Sequence, residues 1–118
     1  MNIFFQLNRK LAELMKGKEY TKKIHEIHHT QKLDAPSGTA KILADDIKNI
    51  QKNDTLISYE RINDTIGTHY IKYISNEDEI KIKHTAKNRD GFALGAILAA
   101  EWIIGKEGVF SFQDVLKV

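Results

Sequence analysis

Cysteine is missing altogether from this 118-residue chain. Its absence excludes disulfides, thiolate metal sites and a thiol nucleophile. Proline occurs once and glycine seven times, at 17, 38, 67, 91, 95, 105 and 108. No G-x-G-x-x-G turn can be assembled from those positions, and the Walker pattern G-x-x-x-x-G-K-[ST] is absent too. Charge of one sign is also lacking: 18 Lys and Arg face 16 Asp and Glu, a net charge of +2. So even a balance gives no electrostatic argument for nucleic acid. The longest apolar run, Phe92 to Ala100, falls far short of the ~18 residues that mark a membrane span. The opening MNIFFQ has no basic region, and its apolar run ends at Gln6. A soluble cytoplasmic domain is the expectation, with no nucleic acid or membrane as partner.

The length suits one modest domain with its own core. Ile3, Phe4, Leu7, Leu11 and Leu14 recur at helical spacing and predict an amphipathic helix over about 2–16, with Gly17 as its stop. The helix begins almost at the first residue, as in a chain cut at a domain boundary. Residues 22–28, KKIHEIH, read as a strand. From Gly38 the stripe Ala40, Leu43, Ile47 and Ile50 predicts a second helix. Strands are expected over about 55–62, 68–75 and 79–86, the last two joined through Asn76-Glu-Asp78 as a hairpin. After Arg89 the pattern is helical again to about Gly105 and apolar almost all round, so this helix needs cover on several sides. The tail VFSFQDVLKV fits either a short helix or a strand. The order α-β-α-β-β-β-α predicts an α+β domain, with a small mixed or antiparallel sheet of about four strands and helices on one face.

The chemistry concentrates in residues 25–39, HEIHHTQKLDAPSGT. Ser37 stands where a helix N-cap belongs, and Gly38 leaves the first turn unobstructed. A first helical turn has unpaired N–H groups and the positive end of the dipole. Ser37, Gly38 and Thr39 are thus a candidate cradle for a carboxylate or phosphate, with Lys32 in reach if the loop folds back. The bland alternative is a capped helix that binds nothing. His28 and His29, adjacent at a strand's end, face opposite ways and are poorly placed to share one metal ion. No cysteine or well-spaced carboxylate completes a zinc set, and no metal is expected. Imidazoles titrating near neutrality beside an anion cradle suit acid–base work on an anionic substrate.

The motif Glu26-x-His28-His29-x-x-Lys32-x-Asp34-Ala-Pro-Ser-Gly-Thr-Ala40 resembles the signature of the dihydrodipicolinate reductase family. Asn2-Ile-Phe-Phe is similar to the segment that opens the family's second domain. Arg61 to His69 resembles an R-x-G-x-x-x-G-x-H element, with Asn63 where a glycine is usual and Gly67 and His69 in place. His84-x-Ala86-x-x-Arg89-x-x-Phe92-Ala-x-Gly95-Ala96 and Asp114-Val-Leu116 match as well. The resemblance implies that residues 1–118 are the substrate-binding and oligomerisation domain, without the family's N-terminal nucleotide-binding domain. Residues ~88–118 would be the segment that packs on that missing domain.

By the same resemblance the whole enzyme reduces a small cyclic imine-type dicarboxylate in the diaminopimelate route to lysine, with NADPH or NADH as cofactor, as a homotetramer. No cofactor is expected to bind this chain, which would be inactive alone. His28 would be the general acid and Lys32 would support developing negative charge. His29 would contact substrate, and Ser37, Gly38 and Thr39 would hold a carboxylate. Asp34 is expected to shape the loop, while Arg61, His69 and Arg89 are left between site and structural roles. The competing readings are a stand-alone oligomerisation or dicarboxylate-binding module, and a metal-dependent enzyme built on the five histidines.

Overall fold

The computed structural model describes residues 1–88 and 90–116, apart from the side chains of residues 91 and 92. Arg89, and the side chain of Phe92 in the same motif, lie outside the described residues. The elements run α1 (Asn2–Met15), β1 (Thr21–His28), α2 (Gly38–Gln51), β2 (Leu56–Arg61), β3 (Gly67–Ile74), β4 (Glu79–Ala86), α3 (Asp90–Ile103) and α4 (Phe112–Leu116). The strand order is β2-β1-β3-β4. β1 and β2 are parallel, as a crossover through α2 requires, while β3 is antiparallel to both β1 and β4. The expected α+β class with a mixed four-stranded sheet holds, and within the undecided tail Phe112–Leu116 forms a short helix.

Helices α1 and α2 lie side by side over one face of the sheet. The core between them joins Phe4, Ala12 and Met15 of α1 with Leu43 and Ile47 of α2 and Ile24, Ile71 and Tyr73 of the central strands. The α2 stripe is the predicted one, from Ala40 through Leu43 to Ile47. The α1 face is not. Phe4 and Leu11 turn inward, but Ile3, Leu7 and Leu14 are exposed, and the buried row is Phe4, Asn8, Ala12 and Met15. Asn8 occupies that row because its amide donates to the Leu43 carbonyl at 3.1 Å. A polar residue on the inward face disguises the true stripe, since a count of apolar positions skips it. Arg9 with Asp46 at 2.8 Å, and Gln51 donating to the Ala12 carbonyl at 3.0 Å, close the two ends of this helix pair. α1 ends at Gly17, whose φ of +78° suits a residue without Cβ.

Helices α3 and α4 pack on each other at the end of β4: Gly95 lies against Phe112, and Trp102 meets Phe110 edge to face at 5.1 Å. Leu94, Ile97, Leu98, Ile103 and Ile104 remain exposed. Among the described residues, no helix is long and apolar enough to cross a membrane.

Leu43 and Leu7 look equivalent in the sequence and differ in the fold. Leu43→Ala is expected to cost about 2–5 kcal/mol, against about 0.5 kcal/mol or less for Leu7→Ala. Urea denaturation of the two variants checks this, and equal losses would overturn the assigned α1 face.

Candidate active site

Alternation along β1 puts Ile24, Glu26 and His28 on the side of the helices, and all three are buried. Strand register then does what sequence spacing cannot. Glu26 is opposite His69 on β3, and His69 is opposite His84 on β4. One row across three strands therefore carries a carboxylate and two imidazoles on a single face, with His28 beside it.

Glu26 has no exposed surface. Its Oε1 accepts from the Ser37 N–H at 2.9 Å and lies 3.5 Å from Arg61 Nη2. Its Oε2 accepts from the Ser37 hydroxyl and stands 3.4 Å from Nε2 of both His28 and His69. The two Nε2 atoms are 3.2 Å apart, so when both rings are neutral one donates and the other accepts. Burial pushes the Glu26 carboxyl up, but the hydroxyl and N–H of Ser37 and the two imidazoles outweigh it and hold the group below its usual range. His28 is pushed down by burial, with Glu26 opposing and Lys32 and Arg61 adding to the fall. His69 is pushed to about 4, by burial first and by the positive charge of His28 second. His84 is also lowered, chiefly by burial.

The ring of His28 lies over the backbone of Gly67: a Cβ at position 67 would come within 3.2 Å of Cε1 and 3.3 Å of Nδ1. The glycine makes room for the imidazole. Asn63 sits at φ +28°, a region that asparagine tolerates better than most side-chained residues, which accounts for its standing where a glycine is usual.

A cavity of about 260 Å³ opens beside this cluster, lined among others by His28, His29, Lys32, Thr39, His69 and His84. The loop after β1 does fold back. Arg61 fastens it by donating to the carbonyls of Lys32 at 3.3 Å and Asp34 at 2.7 Å, and the Asp34 carboxylate pairs with Lys32 at 3.1 Å. Ser37 caps α2, its hydroxyl accepting from the Ala40 N–H at 3.2 Å. Both Ser37 donors go inward to Glu26, while Gly38 is exposed and Thr39 lines the cavity. A second cavity, of about 430 Å³, adjoins the first and shares Met1, His84 and Ala86 with it. Its far wall is Gly95, Ala96, Ala99 and Phe112.

Sequence reasoning gave Glu26 no role and left Arg61 and His69 open. For Glu26 a signal existed: it shares the parity of Ile24 and His28, and a carboxylate on a buried strand face needs a purpose. For His69 and His84 the signal is register, which the chain order conceals.

With this geometry, comparison with known proteins is decisive. Residues 1–116 match the family model "Dihydrodipicolinate reductase, C-terminus". The chain belongs to that family. It is 47% identical to 4-hydroxy-tetrahydrodipicolinate reductase of Christiangramia forsetii, covering 98% of this chain and 54% of that protein. The Aquifex aeolicus enzyme of the same name is 37% identical, covering 98% of this chain and 50% of that protein. The chain thus spans about half the length of the curated relatives it matches. Among solved structures, dipicolinate-bound dihydrodipicolinate reductase from Paenisporosarcina sp. TG-14 superposes with a TM-score of 0.74 at 24% identity, over 95% of this chain and 51% of that one. That likeness supports the fold.

Two outcomes are expected at this site. The unfolded chain takes up a proton at position 69 as pH falls through about 6.5, whereas folded His69 resists until about 4. Stability should therefore fall between those pH values and gain no further loss from this group below them. Urea midpoints measured from pH 7.5 to 4.5 test this, and an equal slope in a folded His69→Asn variant would acquit the imidazole. Gly67→Ala should displace the His28 ring, moving its imidazole NMR resonances while those of His25 stay in place. Unmoved His28 resonances would show that the ring does not rest on residue 67.

Proposed function

We propose that this chain supplies the substrate half of 4-hydroxy-tetrahydrodipicolinate reductase, the NAD(P)H-dependent reduction of a cyclic imine-type dicarboxylate in diaminopimelate and lysine biosynthesis. The observation that carries the reading is convergence on one cavity. His28 at the end of β1, His29 and Lys32 in the loop after it and Thr39 in the first turn of α2 line one space sized for a small ring.

The substrate's carboxylates suit the open N–H groups of Gly38 and Thr39 and the ammonium of Lys32. His29, on the cavity wall, adds a further contact. His28 is the proton donor. Burial disfavours its charged form, but a dianion entering beside it offsets that penalty and raises its affinity for a proton. Binding thereby arms the acid, and Glu26 holds the ring from behind.

The described residues do not fit a dinucleotide. The β1–α2–β2 crossover has the connectivity of a nucleotide-binding unit, but its turn is His29 to Ser37 with a buried carboxylate at its end, not a glycine-rich loop. The chain's own contribution is binding, orientation and the proton. Hydride from NADPH or NADH belongs to polypeptide outside it. The exposed apolar side chains of α3 support a docking role for residues ~88–118 against such a domain, and the whole enzyme is read as a cytoplasmic homotetramer.

Calorimetry with pyridine-2,6-dicarboxylate, a planar mimic of the substrate, tests the site. One molecule should bind per chain. Lys32→Ala should weaken binding roughly 10- to 100-fold, as loss of a charge-assisted contact of about 1.5–3 kcal/mol dictates. Absence of binding by the folded wild-type chain, or full affinity in the variant, would refute the assignment.

A further inference from the structure

We infer that Glu26, His28 and His69 also form a binding site for a divalent transition-metal ion of the zinc type. The three candidate ligand atoms are Glu26 Oε2 and Nε2 of both imidazoles. They stand 3.2, 3.4 and 3.4 Å from one another. A tetrahedral zinc ion with bonds of about 2.0–2.1 Å to nitrogen and oxygen holds its ligand atoms about 3.3 Å apart. The trio already outlines one face of that tetrahedron. The rings do not stack: their centroids are 4.9 Å apart and their planes meet at 69°, so both Nε2 atoms converge on the same volume beside Oε2.

The surroundings hold two of the three ligands in orientation. Glu26 keeps Oε1 on the Ser37 N–H and near Arg61, which turns Oε2 toward the imidazoles. The His28 ring is packed over the backbone of Gly67. Such outer contacts are what fix ligand direction in metal sites. Two imidazoles and one carboxylate, with the Ser37 hydroxyl on Oε2 and 3.4 Å from His69 Nε2, make a donor set that suits zinc better than calcium or magnesium. Opposing it are the cations Lys32 and Arg61. Lys32 is paired with Asp34, and Arg61 sits on the other oxygen of Glu26.

The site escapes a motif search because β1 supplies two ligands at i and i+2, while the third arrives from β3, 41 residues beyond His28. An ion seated there occupies the lone pair of His28. That consequence rests on the reading of His28 as the acid and makes the metal an inhibitor. The binding itself does not depend on that reading.

The test uses metal salts alone, with no dicarboxylate present. Calorimetry with zinc chloride should show one ion per chain, and cobalt(II) should give the intense visible absorption of a tetrahedral site. In wild-type protein, zinc should shift the imidazole NMR resonances of His28 and His69 and leave those of His25 unmoved; His25 pairs with Glu60 on the other face. Glu26→Gln, with folding checked by circular dichroism, should lower zinc affinity at least about tenfold, and His25→Ala should not. No stoichiometric binding, zinc-induced shifts at His25 alone, or a folded Glu26→Gln variant that binds as wild type would overturn the proposal.

Discussion

A single buried carboxylate organises this molecule. Glu26 sits in the middle of a central strand with no solvent-exposed surface, and an unpaired charge there costs several kcal/mol. Everything near it answers that cost. Ser37 brings the start of α2 down to it with two hydrogen bonds, Arg61 brings the end of β2, and His28 and His69 close the remaining side. The turn from β1 into α2 is thereby tied back onto the strand that launched it. The cavity's shape follows from this tie, because Lys32, His29 and Thr39 ride on the fastened loop.

The arrangement separates support from contact. Ser37 is tightly engaged inside, while Thr39 faces the cavity. Arg61 grips backbone carbonyls of the loop, which leaves its charge near the site without exposing it to a ligand as Lys32 is exposed. His28 stands between the two roles, buried against Glu26 and His69 yet on the cavity wall. A titrating group in that position responds both to the buried carboxylate behind it and to any anion in front of it. The second cavity meets the first at His84, so whatever occupies one borders the other.

Helices α3 and α4 follow a different logic. Their apolar residues exceed what the local packing of Gly95 on Phe112 and Trp102 on Phe110 can bury. The main core under α1 and α2 is complete without them. Stability therefore centres on the sheet and the first two helices, and the apolar side chains of α3 stay largely on the surface.

Much of this protein was legible in its residues. Periodicity located every strand and the three long helices, because side-chain alternation of 2 and 3.6 is a local property. The capping position of Ser37 and the stop at Gly17 were local as well, as was the motif that marks the family. The buried face of α1 was not, since Asn8 is polar by composition and core by virtue of a carbonyl on another helix. Nor was the cluster at the site. Only the antiparallel register of β3 against β1 places His69 opposite Glu26, and register is settled by which faces bury together across the whole sheet. A chain can announce its elements and caps from neighbouring residues. It cannot announce which distant side chains will share one buried cluster, because that is decided by packing.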